Sequence, residues 1–224
     1  MIEVELKART NVPIIGMAKI LLERLFETKK YSLTEYTIFT YRDVYLTLED
    51  QNMVRVRATH DHTPPDFRND VFKVYVTRKK KTVVDGIERN QEDETSVDQS
   101  FEEVVNGFLS QSYKILYQKT KTGLKYVFPD GITLQAQSVW TPSDASSLSM
   151  TSSIEVLSLG QFFEIEKVLP DDATDEDVAL ANVVLLKLLE DLGLPAESIE
   201  PRSWKVLDAE VREQFAKNQT NTKG

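Results

Sequence analysis

Apolar and polar residues alternate with a period of two in several separate stretches, as strands require. Ile2, Val4, Leu6 and Ala8 oppose Glu3, Glu5, Lys7 and Arg9. Val54, Val56 and Ala58 oppose Arg55 and Arg57, while Phe72, Val74 and Val76 oppose Lys73, Tyr75, Thr77 and Lys79. The pattern returns where Ile132, Leu134 and Ala136 oppose Thr133, Gln135 and Gln137, and where Phe163 and Ile165 oppose Glu164 and Glu166. Further strands are predicted over 36–48 and 89–95. Residues 112–127 read as a hairpin about Thr122-Gly123, with Lys119 and Lys121 on one face of its first arm.

Between the strands the period changes to that of a helix. Met17, Ile20, Leu21, Leu25 and Phe26 predict a helix over 14–29, opened by Pro13 in its first turn. Phe101, Val104, Val105 and Phe108 mark a short helix. Thr174 with Asp177 forms a variant capping box. It opens a helix that carries Val178, Ala181, Leu185, Leu188 and Leu189 inward and stops at Gly193. An exposed helix follows over 208–217. Residues 61–70, with Pro64-Pro65, and the Ser- and Thr-rich 141–153 read as loops, the second as a mobile lid. This gives one domain over 1–217 and a disordered tail over 218–224.

A half-buried strand ordinarily shows water a mixed polar face. Here that face carries several ionisable groups on strand after strand. The helices bear apolar stripes that need a partner, and the apolar strand faces can provide it. The charged faces are then left to line an interior. The fold expected is α+β: a closed antiparallel β-barrel of about eight strands forming a charged tunnel, with helices packed outside. The alternative is a flat sheet whose charges face bulk solvent.

Composition narrows the chemistry. The chain has 224 residues, 41% hydrophobic and 28% charged, as in a globular protein. It has no cysteine, so disulfides, thiolate metal sites and a cysteine nucleophile are excluded. The only histidines are His60 and His62, which argues against a histidine-rich zinc site. A net charge of −9 disfavours nonspecific nucleic-acid binding, which needs a broad basic surface. No apolar run reaches the roughly 18 residues of a membrane span, and no basic region followed by an apolar core marks a signal peptide. A cytoplasmic location is expected. A basic interior inside an acidic protein would select a small polyanion.

Glu3-x-Glu5-x-Lys7 resembles the N-terminal signature of the CYTH, or triphosphate tunnel metalloenzyme, family. The likeness extends to Arg55-Val56-Arg57, to Lys79 in the lysine strand, and to Arg89 followed by Glu92 and Glu94, with Gln91 and Asp93 as the alternative inward pair. It continues through Lys119-Thr120-Lys121, Leu159-Gly160-Gln161-Phe162-Phe163-Glu164-Ile165-Glu166 and Arg202-Ser203-Trp204. Where the family carries an aspartate before the Leu-Gly pair, this chain has Ile154, with Glu155, or Gln135 and Gln137, as substitutes.

The resemblance implies a metal-dependent phosphohydrolase acting on inorganic triphosphate, thiamine triphosphate or a nucleoside triphosphate. A class IV-type adenylate cyclase, releasing cyclic AMP and pyrophosphate, and a non-catalytic polyphosphate-binding module are the alternatives. It assigns catalysis to Glu5, Lys7 and Arg57. Substrate binding falls to Lys7, Arg9, Arg55, Arg57, Lys79, Arg89, Lys119, Lys121 and Arg202, unless Arg202 only anchors the C-terminal segment. Arginine forks suit phosphate oxygens and lysines add point charges. Glutamates repel phosphate unless a divalent cation lies between. Glu3, Glu5, Glu92, Glu94, Glu164 and Glu166 are therefore expected to hold Mg²⁺ or Mn²⁺. The expected partner is a small-molecule triphosphate, with neither nucleic acid nor membrane, and the protein is expected as a monomer or homodimer.

Overall fold

The computed structural model describes residues 2–27, 31–32, 34–48, 52–62, 71–84, 87–144 and 155–221, with backbone alone at 52, 71, 79–84, 87–92 and 221. Along the chain lie β1 (Ile2–Thr10), α1 (Ile14–Leu21), β2 (Glu35–Leu48), β3 (Asn52–His62), β4 (Val71–Val84), β5 (Ile87–Val97) and α2 (Phe101–Ser110). Then follow β6 (Lys114–Val127), β7 (Ile132–Pro142), β8 (Val156–Leu169), α3 (Asp175–Asp191) and α4 (Trp204–Asn221). The loop residues 63–70 and 145–154, including Ile154, lie outside the described residues.

The eight strands form one antiparallel sheet in the order β5-β4-β3-β2-β6-β7-β8-β1. β1 pairs with β8 along its whole length, from Ile2↔Leu169 to Thr10↔Gln161. Among the described residues the outermost strands meet again at Ile2↔Gln91 and Glu3↔Asn90. The expected α+β arrangement with one eight-stranded antiparallel sheet is present, its outermost strands meeting at a two-pair seam rather than along a full ladder.

Strand alternation sorts the residues onto two faces. On the outer face Val4, Ala8, Leu134, Ala136, Phe163 and Ile165 pack with Met17 and Leu21 of α1 and Val178, Ala181, Leu185, Leu188 and Leu189 of α3, all buried. Each such side chain contributes about 1.5–3 kcal/mol on leaving water. α2 covers Val44, Leu46 and Val56 in a second cluster. Both α2 and α3 open with a complete capping box, Ser100 with Glu103 and Thr174 with Asp177.

Four expectations are corrected. Residues 112–127 form no hairpin. β6 is one continuous strand, pairing with β2 on one side and β7 on the other, so Thr122-Gly123 lies inside a ladder. A Cβ at Gly123 would lie 2.1 Å from the Ala136 carbonyl oxygen, so that glycine serves close strand approach rather than a turn. The first helix leaves α geometry after Leu21 and continues as a π-helical segment over Leu22–Phe26. The C-terminal helix begins at Trp204 and runs to Asn221, so most of the expected tail is helical.

Finally, α4 is not wholly outside. Its Trp204 and Leu207 are buried with Tyr45, Tyr117, Val139 and Phe162. Those side chains share the inner face with Asp43, Lys119, Lys121 and Glu164. One end of the interior is therefore packed with apolar groups. Among the described residues no helix is long and apolar enough to cross a membrane.

Candidate functional site

Cross-strand register brings the charged faces together. On β1 and β8, Glu5 pairs with Glu166 and Lys7 with Glu164. On β2, β3 and β6, Asp43 pairs with both Arg57 and Lys119, and Tyr41 with Lys121. On β4 and β5, Thr77 pairs with Arg55 and with Glu94. The lining divides into two chemically different walls.

The arginine wall is neutralised from within. Asp43 is fully buried and accepts two hydrogen bonds from the Arg57 fork, from Nε at 2.7 Å and Nη2 at 2.9 Å. Burial alone would raise its carboxyl pKa. The Arg57 charge and its hydrogen bonds outweigh that and hold the group far below the usual carboxylate range. Arg57 also lies over the Tyr41 ring, 5.0 Å from its centroid. Arg55 donates from Nη2 to Thr77 at 3.1 Å and to Glu94 at 3.0 Å, and Thr77 donates to the same carboxylate at 2.7 Å.

The lysine wall gathers its three ammonium groups around one ring. The ammonium groups of Lys7, Lys119 and Lys121 lie 4.4, 4.4 and 5.3 Å from the centroid of one indole, that of Trp204. Glu164 is buried and takes a hydrogen bond from Lys121 and another from Trp204 Nε1 at 3.1 Å. Lys119 stands 3.8 Å from Asp43, which Arg57 already engages. Burial and the neighbouring Lys121 push the Lys119 pKa well down. Burial would raise the Glu164 pKa, but Lys121 and Lys119 bring it down to about 2. For Lys7, desolvation prevails over the attraction of Glu164 and Glu5, and its pKa falls. Its Nζ donates to the backbone carbonyl of Arg202, tying β1 to the segment that leads into α4.

The other expected residues scatter. The Arg9 guanidinium donates to Glu200 at 3.2 Å and to the Leu159 carbonyl at 3.1 Å. Gly160, at φ +122°, makes room for it, since a Cβ there would lie 3.0 Å from Arg9 Nη1. Arg202 grips Glu200 and, at 2.8 Å, Glu210. Its side chain therefore anchors the C-terminal segment, with no contact to the lysine wall. The side chains of Lys79, Arg89 and Glu92 lie outside the described residues. Lys79↔Glu92 continues the register of Thr77↔Glu94. Arg89 pairs with Thr82, one position out of step.

Among the described residues the expected glutamate ligands do not gather at one point. Among the described residues no group of three His, Cys, Asp or Glu could hold a metal. Glu164 belongs to Lys121 and Trp204, and Glu94 to Arg55 and Thr77. Glu5 is set directly opposite Glu166, with Glu3 one step along the same face. Directly opposed carboxylates repel unless a cation lies between them.

Asp43, Tyr41 and the full role of Trp204 escape a reading of strand faces. Asp43 carries a usable signal: it is the single acid in an alternating series of Phe39, Tyr41 and Tyr45. Trp204 is marked only by the Arg202-Ser203-Trp204 likeness, which does not disclose its partners, since these come from strands 40 and more residues away.

No family model matches the chain, and no curated protein matches it. Solved structures do. The PH1819 protein of Pyrococcus horikoshii aligns with 94% of this chain and 99% of its own at 20% identity and a TM-score of 0.63. A conserved hypothetical protein of Pyrococcus furiosus aligns over 92% and 99% at 23% identity and a TM-score of 0.58. The chain shares their fold. It also shares that of a chain of the Schizosaccharomyces pombe Mediator head module, over 86% and 95% at 17% identity and a TM-score of 0.53. Likeness to a mimivirus capping-enzyme triphosphatase stops at a TM-score of 0.42 and 12% identity, too slight to weigh.

Proposed function

We propose that the interior binds a small linear polyphosphate, a triphosphate above all, and that the protein hydrolyses its terminal phosphoanhydride with the help of Mg²⁺ or Mn²⁺. The observation that carries this is the lysine wall. Three ammonium groups, those of Lys119 and Lys121 buried and that of Lys7 half-buried, gather around one indole, with Lys121 on Glu164 and Lys119 3.8 Å from Asp43. Like charges held together away from water are costly, and an anion of several charges relieves them. Burial and the neighbouring Lys121 depress the Lys119 pKa, and a bound anion favours its charged form.

The carboxylates fit a hard divalent cation of limited demand. Mg²⁺ commonly takes one or two protein carboxylates and completes its shell with water and phosphate oxygens. Glu5 and Glu166 would hold it, with Glu3 alongside. Such an ion offsets charge on the transferring group and lowers the pKa of a bound water. The chain's own part is to fix the phosphates. Lys7, Lys119 and Lys121 bind the inner phosphoryl oxygens, and Arg55 and Arg57 orient from the opposite wall.

The dispersal of Glu94 and Glu164 favours a second reading, in which the interior binds polyphosphate without cleaving it. One experiment tests both. Inorganic triphosphate and ATP are incubated with the protein and Mg²⁺ or Mn²⁺, with products and bound ligand measured in parallel. Orthophosphate release supports the hydrolase, and saturable binding without turnover supports the second reading. Cyclic AMP with equimolar pyrophosphate would instead establish the cyclase, and absence of binding would remove all three.

A further inference from the structure

α3 is apolar on two sides. Its inward side, Val178, Ala181, Leu185, Leu188 and Leu189, is buried against the sheet. Its outward side nevertheless carries Leu180 at 63% and Val183 at 61% exposure. A soluble surface helix ordinarily turns polar groups outward. On the neighbouring α1 layer, Ile15 is 86% exposed and Leu22, just beyond its end, 55%.

The order of residues on this stripe indicates what covers it. Glu176, Leu180, Val183 and Lys187 are spaced i, i+4, i+7 and i+11, which places them in one narrow row at 3.6 residues per turn. The row is self-complementary when reversed. A two-fold axis between Ala181 and Asn182 sets Leu180 against Val183 of a second copy. The same axis sets Glu176 against Lys187 at both ends. An isologous contact demands this kind of self-complementarity.

We infer that the outer face of α3 is the contact of a weak homodimer, formed by two antiparallel α3 helices with Glu176–Lys187 pairs closing each end. Lys187 already touches Glu190 at 2.8 Å and Asp191 at 3.4 Å within its own helix. The Lys187–Glu190 pair is exposed on both sides and adds little stability, and Asp191 keeps the Tyr31 hydroxyl at 2.9 Å when Lys187 turns to Glu176 of the second copy. One helix pair flanked by Ile15 and Leu22 buries less than the roughly 800 Å² per partner of a stable interface. The dimer is accordingly expected to dissociate on the order of 10⁻⁵–10⁻⁴ M. The inference stands apart from the proposed chemistry, since the stripe lies on the outer layer and touches neither wall.

Sedimentation velocity across 1 μM to 1 mM, approximate limits set by that expected affinity, reads the equilibrium directly. The wild type is expected to pass from monomer to dimer across this range. Val183→Glu, with an unchanged circular dichroism spectrum, should stay monomeric. Glu176→Lys and Lys187→Glu should each self-associate at least about tenfold more weakly, because either one faces like charge with like at both ends. An equimolar mixture of the two variants should associate again, since both end pairs are then complementary. A misfolded variant would not be rescued in this way. A wild type that is monomeric throughout, a dimer that survives Val183→Glu, or a mixture no tighter than its components would each overturn the inference.

Discussion

The two walls of the interior carry similar numbers of basic groups and differ in what faces them. On one side, Arg57 is matched by Asp43 and Arg55 by Glu94. On the other, Lys7, Lys119 and Lys121 share the Trp204 ring, Lys121 takes Glu164, and Lys119 has the more distant edge of Asp43, which Arg57 already engages. The arginine wall is complete as folded, whereas the lysine wall is poised for an anion. Counting basic residues on strand faces would rank the arginines first as binding groups. Their partners make them primarily the frame, and the lysines the receptor.

The largest effect should come from breaking the completed wall. Asp43→Ala leaves the Arg57 guanidinium buried without its carboxylate and should cost about 3–5 kcal/mol of stability, read by urea unfolding. A loss below about 1 kcal/mol would show that Arg57 reaches water and that this wall is not closed. Next comes acid. The Glu164 carboxyl lies at about 2 in the folded protein against 4.5 for an ordinary glutamate. The unfolded chain therefore binds more protons between those values, and stability falls as pH drops through that window. The contribution is of order 3 kcal/mol, present in full above about pH 4.5. Lys121→Met should flatten this part of the pH–stability curve.

The contrast sharpens with Lys119→Met. Removing one of three crowded ammonium groups should stabilise the unliganded protein by about 1 kcal/mol. The same change should weaken triphosphate binding by roughly tenfold or more, measured by calorimetry. Loss of stability together with unchanged affinity would refute the poised wall. The smallest effect should be that of Arg55→Gln, at most about 1 kcal/mol, because its partner Glu94 is 38% exposed and solvent screens the pair.

Much of this fold was legible because a period of two cannot be mistaken when the polar face is charged. β1, β3, β7 and β8 follow their alternation residue by residue, and the heart of α3 follows its apolar spacing. β6 was not legible as a single strand. Thr122-Gly123 looks like a turn locally, and only the approach of Ala136 from β7 explains the glycine. The site was legible to the level of faces. Which cation meets which anion depends on strand order and stagger, which alternation does not encode. So Glu164 was foreseen as a metal ligand beside Glu166, while its contacts are Lys121 and Trp204. The entry of α4 into one end of the interior rests on Trp204 and Leu207, with Val211 packed beside them, a short apolar row at helical spacing that does not say which end of the sheet it meets.

The pairing of the first strand with the eighth sets a timetable. Ile2 is opposite Leu169 and Thr10 opposite Gln161. At about 5–20 residues per second on the ribosome, β1 waits roughly 10–30 seconds for its long partner to exist. Until then Ile2, Val4, Leu6 and Ala8 have an unpaired edge and no helix of α3 to cover them. Long-range pairing of this kind slows folding, and an uncovered edge strand invites other chains. Glu3, Glu5, Lys7 and Arg9, alternating along that same waiting strand, keep it charged while it waits. The residues that line the finished interior would thus first serve as the nascent chain's protection against aggregation.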